Sequence, residues 1–324
     1  MKFGLNPYGT TFDMGIHPKS EKPLIDAISF INRAIEYGLQ GVEIPYNVLQ
    51  KSDIDQTARY LKENNMFANI AAGGYDPDEL SQAILAGERI GAISVRTVVG
   101  GADFGGDRRH MKGKWQDFVQ TLQQNFAKVT ATAEKAGVNL AVENHQDLAS
   151  EELIAMCKTI DSERFGITLD TANALATAEE PIDFYKRVMP YVKNVHLKDY
   201  WIYWSEEGYR LVRCPIGQGV IDFEEVLKIF AEGNPNVTMS LEHGSLEARN
   251  VRILEEDYWT EYPPRSAAQL TRLMRFVHDH ARKSGDWRTP FERGESADQI
   301  CTYELKEFAT SLAYIKPMIP LYSR

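Results

Sequence analysis

Cysteine is scarce in this chain. Three occur in 324 residues, at Cys157, Cys214 and Cys301. An odd number of widely separated thiols makes no disulfide framework, and points to a reducing compartment such as the cytoplasm. Long apolar runs are also missing. No stretch approaches the ~18 apolar residues that suggest a membrane span, and the opening "MKFGLNPYGT" lacks the apolar segment of a signal peptide. Positive charge is in deficit, with a formal net charge of −10. A phosphate backbone selects basic surfaces, so broad nucleic-acid binding is disfavoured, while a small neutral substrate is not excluded. No G-x-G-x-x-G follows the first strand, which argues against a dinucleotide-binding sheet. The glycine-rich "GGADFGGD" (100–107) lacks the G-K-[ST] of a phosphate loop and reads as a flexible mouth loop.

What is present is an ordinary globular balance, 43% hydrophobic and 25% charged. Short β-rich segments alternate with helical patterns along the chain. The strands are expected at 2–6, 41–44, 67–72, 94–99, 138–144, 165–170, 193–199 and 237–243. Helices are expected near 24–37, 54–64, 77–90, 115–136, 150–159, 181–189, 223–231 and 266–283. Eight such units without consecutive hairpins predict an α/β fold, a closed (β/α)8 TIM barrel, with an open doubly wound sheet as the alternative. Two segments exceed that plan. A long aromatic-rich loop follows strand seven, and a C-terminal helical tail includes "ADQICTYELKEFATSLAYI". The whole chain, 1–324, reads as one domain, with the barrel over about 1–284 and the extension over about 285–324.

Strands five to eight end in Glu143, Asp170, His196 and Glu242. In a closed parallel barrel those ends converge on one face. Three carboxylates and an imidazole suit a divalent cation of intermediate hardness, Mn²⁺ first, with Mg²⁺, Co²⁺ or Zn²⁺ as alternatives. Without a cation, three carboxylates in one low-dielectric mouth repel. Each residue has a plainer use. Asp170 before "TANAL" also resembles a helix N-cap, and a lone His196 is more often a structural histidine. A suitable ligand type on four successive strands is the stronger signal. His145 lies two residues past Glu143, so it shares the glutamate's face if the strand continues; it reads as a general acid or base, or as support for the site. Lys198 lies two past His196 and reads as an oxyanion or hydroxyl binder, or as a surface lysine. Glu43 and Asn6 are expected to bind substrate hydroxyls. Arg96, inside strand four, is expected to pair with a carboxylate. His243 and Asp199 read as supporting or loop residues.

The segments "AVENH", "GITLDTAN", "VHLKD", "IGQGVIDF" and "SLEH" occur in that order. Together they resemble the sugar phosphate isomerase/epimerase family of xylose-isomerase-like barrels, which includes ketose 3-epimerases, inosose dehydratase and endonuclease IV. The resemblance implies that Glu143, Asp170, His196 and Glu242 are metal ligands and that the two glutamates also act as acid and base. Asn173 stands where those epimerases carry a substrate-binding histidine, and is expected at the substrate.

The expectation is a metal-dependent enzyme of sugar metabolism. It would abstract a proton α to the carbonyl of a keto-sugar through a metal-stabilised enediolate, with Glu143, His145 and Glu242 as candidate catalytic residues. The alternative is a lyase that cleaves a 3-oxo-glycoside by β-elimination, like the catalytic subunits of C-glycoside deglycosidases, which pair with a small second subunit. An endonuclease-IV-like repair enzyme fits less well, given seven histidines and a negative charge; a non-catalytic binding protein fits less well given the complete quartet. Tyr200, Trp201, Tyr203, Trp204 and Tyr209 read first as packing over the mouth, then as stacking on a sugar ring or aglycone, or as meeting a partner chain. The expected partners are a small carbohydrate and either a second copy of the chain or a small second subunit, with neither nucleic acid nor membrane.

Overall fold

Eight parallel strands close into a barrel in the computed structural model, which describes residues 1–283 and 285–323. Residue 284, where the barrel–tail boundary is expected, and residue 324 lie outside the described residues. The barrel strands are β1 (Lys2–Leu5), β2 (Gly41–Pro45), β3 (Phe67–Ala71), β4 (Ser94–Thr97), β5 (Asn139–Glu143), β6 (Phe165–Asp170), β7 (Val192–Leu197) and β10 (Thr238–Leu241), with β10 pairing β1 and β7 to complete the ring. The outer helices are α1 (Ala27–Glu36), the short α2 (Tyr46–Leu49), α3 (Ile54–Glu63), α4 (Pro77–Ile90), α5 (Trp115–Ala136), α6 (Ser150–Ile160), α7 (Pro181–Val188), α8 (Phe223–Gly233) and α9 (Ala267–His280).

Local chemistry accounts for these boundaries. The Asp76 side chain accepts from the Asp78 and Glu79 N–H groups at the start of α4, and Pro77 occupies its first turn. Gly91, at φ 69°, ends that helix in the left-handed conformation that glycine adopts without steric cost. Along the strands, side chains alternate between two environments. Val195 and Leu197 of β7 join the apolar core shared with the helices, whereas Asn194 and His196 are polar and buried.

The segment after β7 departs from expectation. It is a hairpin, β8 (Asp199–Ser205) with β9 (Gly208–Cys214), and β11 (Arg249–Val251) adds to it as a third antiparallel strand. The long loop expected after strand seven is therefore a hairpin. Ser205 pairs with Gly208, so the turn is Glu206-Glu207. That pair lacks the Asn-Gly or Asp-Gly signature that marks a two-residue hairpin in sequence. Most of the aromatics pack inward, with Tyr200, Tyr203 and Tyr209 buried; Trp204 is exposed.

The glycine-rich loop is closely approached along part of its length. It is packed against this small sheet. A side chain at Gly105 would meet Asn250 O at 1.9 Å, and one at Gly106 would meet Ala176 O at 2.3 Å. Gly105 N donates to Gln146 Oε1 (2.8 Å), and the Tyr262 hydroxyl donates to Gly106 O (2.6 Å). The glycines serve close approach rather than freedom of movement.

The C-terminal extension comprises α10 (Ala297–Ile315) and α11 (Ile319–Tyr322). Helix α10 wedges between α1 and α8, with Phe308 against Tyr37 and Tyr314 against Phe223. Its buried Glu304 accepts from Thr11 N (2.8 Å), Thr11 Oγ1 (2.6 Å) and Phe12 N (2.8 Å), which ties the loop after β1 to the extension. Among the described residues, no helix is long and apolar enough to cross a membrane.

Candidate metal centre

The barrel lumen is polar, and its polarity is ordered. Asn69 of β3 donates to Asn194 Oδ1 (3.2 Å) and to Thr238 Oγ1 (3.0 Å); Asn194 donates onward to Glu43 Oε2 (2.7 Å). Glu43 Oε2 lies 2.8 Å from His196 Nε2. This chain of hydrogen bonds runs from the barrel interior to the imidazole at the mouth. It fixes the ring's orientation and presents the opposite nitrogen, Nδ1, to the acids of the neighbouring strands.

Those acids arrive by register. Asp170, the last residue of β6, pairs with His196, and Ser240, two residues before Glu242, pairs with His196 from the other side. Glu143 ends β5. One ligand atom from each of Glu143, Asp170, His196 and Glu242 falls within 4.8 Å of the others, and all four residues are buried. His196 Nδ1 is 2.9 Å from Glu242 Oε2 and 3.5 Å from Glu143 Oε2. Two cations close the cluster: Arg96 Nε is 2.6 Å from Glu143 Oε2, and Lys198 Nζ is 2.5 Å from both Asp170 Oδ2 and Glu242 Oε1.

The donor set fits a divalent cation. Both Glu143 oxygens, Asp170 Oδ2, His196 Nδ1 and Glu242 Oε2 are buried without a hydrogen-bond partner. Their near neighbours are ionic: Arg96 at Glu143 Oε2, Lys198 at Asp170 Oδ2, and Glu242 Oε2 facing His196 Nδ1. Buried polar atoms left this way are costly unless something else satisfies them. Asp170 makes the cap contacts that its sequence suggested. Its Oδ1 accepts from Ala172 N (3.0 Å) and Asn173 N (3.2 Å) as a helix cap would, which leaves Oδ2 for the cluster.

Electrostatics at the cluster are strongly coupled. Burial pushes the carboxyls of Glu143 and Asp170 up, against the pull of Arg96 and Lys198 respectively. At Glu242, burial is outweighed by Lys198 and His196, which hold its carboxyl well below the usual range. Burial lowers His196, but Glu43 and Glu143 prevail and push it up to about 10. A cation held at Nδ1 would compete with a proton at that atom.

The remaining expected residues fall into two groups. Lys198 is at the cluster, and His145 is half-buried beside it, its pKa well below 6.5 through burial and the charges of Lys198, Arg96 and Arg249. Asn173 offers Nδ2 without a partner, while its Oδ1 accepts from the Tyr200 hydroxyl (3.0 Å). Glu43 and Asn6, expected on substrate hydroxyls, have protein partners, although Glu43 Oε1 has no hydrogen bond. Glu43 holds His196 and Asn194, and Asn6 lies 3.2 Å from His196 Nε2 and accepts from Tyr8 N (2.8 Å); both are fully buried. Arg96 pairs with Glu143 as expected, and it also lines a cleft of about 900 Å³ beside Tyr8, Pro45, Tyr46 and Ala72, at the ends of β1 to β4. Sequence reasoning did not single out Asn194, Arg213 or Arg249. None sits in a quoted motif, and only the period-two step from His196 could have flagged Asn194.

Comparison with known proteins agrees with this architecture. The xylose isomerase-like TIM barrel family matches residues 31–275. An uncharacterized protein of Escherichia coli, YihM, is 24% identical over 239 residues, 72% of this chain and 70% of that protein. The 3-oxo-isoapionate decarboxylase of Pectobacterium atrosepticum is 26% identical over 134 residues, 40% of this chain; the match spans about half of that enzyme, 48%. Among solved structures, 3-keto-D-glucoside 4-epimerase from E. coli superposes with a TM-score of 0.59 at 12% identity, covering 86% of this chain and 99% of that one. At that identity the likeness concerns the fold.

Proposed function

The chain belongs to the xylose isomerase-like TIM barrel family, and from that premise we propose that it is a divalent-metal-dependent enzyme that abstracts a proton α to the carbonyl of a keto-sugar. The observation that carries this reading is the convergence of Glu143, Asp170, His196 and Glu242 at the mouth, with their ligand atoms within 4.8 Å. Those four residues would hold the cation, Mn²⁺ by preference. When bound, it supplies Lewis-acid polarisation of the carbonyl oxygen and the adjacent hydroxyl.

The chain's own groups provide the rest. Glu143 or His145 takes the proton from carbon, and Glu242 returns one from the other side of the cluster. Lys198 and Arg96 place fixed positive charge where the enediolate oxygens develop. Asn173 Nδ2 is a free donor for a substrate oxygen. Tyr8, Tyr46 and Arg96 line the cleft that would receive the sugar. Reprotonation on the opposite face gives an epimerase, and on the neighbouring carbon an isomerase.

A second reading shares the first step. Loss of a β-substituent after proton abstraction would make the protein a lyase on 3-oxo-glycosides. The partly matching 3-oxo-isoapionate decarboxylase is named for a 3-oxo compound, the substrate class this reading needs. The same reading takes the whole chain as one cytoplasmic domain, consistent with its free, buried cysteines, acting as a homo-oligomer or with a small second subunit. Incubation with Mg²⁺ in D₂O against ketoses and 3-oxo-glycosides, followed by NMR, tests both branches. Deuterium entry α to the carbonyl supports the common step, and aglycone release selects the lyase. Neither signal with any keto-sugar would remove the proposal.

A further inference from the structure

The small sheet over the mouth carries two arginines that the chemistry above leaves unused. Arg213 lies on β9 and Arg249 begins β11; they are 5% and 2% exposed. Both Nε atoms, and Nη1 of Arg249, are buried without a hydrogen-bond partner. Arg213 is held through Nη1, which donates to Gly244 O (3.2 Å) two residues beyond Glu242. Arg249 lies over the Phe104 ring, 3.6 Å from its centroid. Its nearest carboxylate, Glu247, is 3.5 Å away and 32% exposed. The Tyr200 phenol is within reach of both guanidinia, and its hydroxyl donates to Asn173, whose Nδ2 is itself unpartnered.

This cluster is built almost wholly of donors, and it adjoins the acids. Arg213 feels the charge of Glu242, and His145 feels that of Arg249. Burial and the neighbouring Arg213 lower Arg249 to about 10, against the pull of Tyr200 and Glu247. Against burial, Arg213 is held up by Tyr200 and by Glu242, but Glu242 is shared with the acid centre. Glu43, Glu143, Asp170 and Glu242 are balanced by a divalent cation with Arg96 and Lys198, once His196 is a neutral ligand. Arg213 and Arg249 remain outside that balance. Buried guanidinium groups persist where an anion completes them, and their planar fork suits carboxylate and phosphate.

We propose that Arg213, Arg249 and the Asn173 amide form an oxyanion-binding subsite beneath the small sheet, and that the substrate is an anionic keto-sugar whose carboxylate or phosphate sits there. The proposal rests on the keto-sugar reading for the reacting end, and adds the charge of the far end.

The test measures binding apart from turnover. Protein loaded with Mg²⁺ is titrated calorimetrically with D-fructose, D-fructuronate, D-fructose 6-phosphate and inorganic phosphate. The anionic sugars should bind roughly 10- to 100-fold more tightly than D-fructose, the range of one or two charge-assisted hydrogen bonds. The tighter of the two identifies carboxylate or phosphate as the recognised group. R213Q and R249Q should each erase most of that preference while Mg²⁺ affinity and D-fructose affinity change less than about 2-fold. R249K, which keeps the charge, should retain part of it, and N173D, which adds a carboxylate to the subsite, should abolish it without unfolding the chain. Equal affinity for neutral and anionic sugars, no binding of any probe, or an undiminished preference in folded R249Q or N173D overturns the subsite. Deuterium exchange is followed in parallel. Anion preference without exchange would leave the subsite standing and remove the keto-sugar chemistry.

Discussion

Glu43 Oε2 lies 2.8 Å from His196 Nε2, on the side of the imidazole opposite the acid cluster. The contact explains why a glutamate sits fully buried on β2 with no opening to the cleft. It holds the ring so that Nδ1 faces Glu242 and Glu143. Glu43→Gln should therefore weaken divalent-metal affinity by about 10- to 100-fold, the usual cost of losing a carboxylate behind a ligating histidine. Equilibrium dialysis with Mn²⁺ measures it. Unchanged affinity would mean that Nδ1 is not a ligand atom.

The ligand set itself is tested by removing charge from it. Asp170→Asn should lower metal affinity and activity, because it takes one negative charge from the cluster while keeping the Oδ1 cap geometry available. Asp170→Asn combined with His196→Ala should abolish stoichiometric binding. One tightly held ion per chain in that double variant would be incompatible with the assignment.

His145 separates two versions of the proton transfer. His145→Ala should keep the fold and the metal and lose ~10²- to 10⁴-fold in kcat, the contribution of a positioned proton-transfer group. KM should change little, since little ground-state binding is removed. If the variant turns over normally while metal-loaded Glu143→Gln and Glu242→Gln are inactive, the glutamates carry both transfers.

Glu304 should leave a signature in stability against pH. Burial pushes its carboxyl up to about 7, despite the hydrogen bonds from Thr11 and Phe12. A carboxyl raised on folding holds its proton more tightly folded than unfolded. Its contribution is full below the unfolded value near 4.5 and is lost as pH rises through about 7. Chemical denaturation from pH 5 to pH 8 should show this decline, and Glu304→Gln should flatten it. Parallel curves for the two proteins would exclude Glu304 as the source.

The extension should be integral to stability. Phe308 is buried on α10 against Tyr37, so Phe308→Ala should cost about 3–5 kcal/mol through lost burial and the cavity left behind. A midpoint shift under denaturant equivalent to less than about 1 kcal/mol would mean that the contact collapses without loss.

The local alternation of strand and helix was legible because each element satisfies its own rules. "PDELSQAILAGERI" has its Asp76 cap, its proline and its closing glycine within a few residues, and α4 follows it from Pro77 to Ile90. The quartet was legible for a related reason. Parallel strands in a closed ring must bring their carboxyl ends together, so strand-end residues far apart in sequence become neighbours once the ring is inferred.

What tertiary structure alone decided lies in how buried polar groups are shared. Nothing local distinguishes a Glu43 that meets substrate from one that braces His196; the difference is the closure of the ring, which sets β2 across the lumen from β7 and places Asn194 and His196 on the same oxygen. Nothing local turns "DYWIYWSEEGYRLVRC" into a hairpin rather than a loop, since its Glu-Glu turn carries no backbone preference for the bend and the pairing is completed by β11, some 40 residues on. That pairing also brings Arg213 and Arg249 together on the small sheet. Sequence determined which chemistry-bearing residues lie at strand ends, because side-chain periodicity is local. Three-dimensional closure decided which of them converge on one cluster and which brace one another, because burial and countercharge are properties of the assembled barrel.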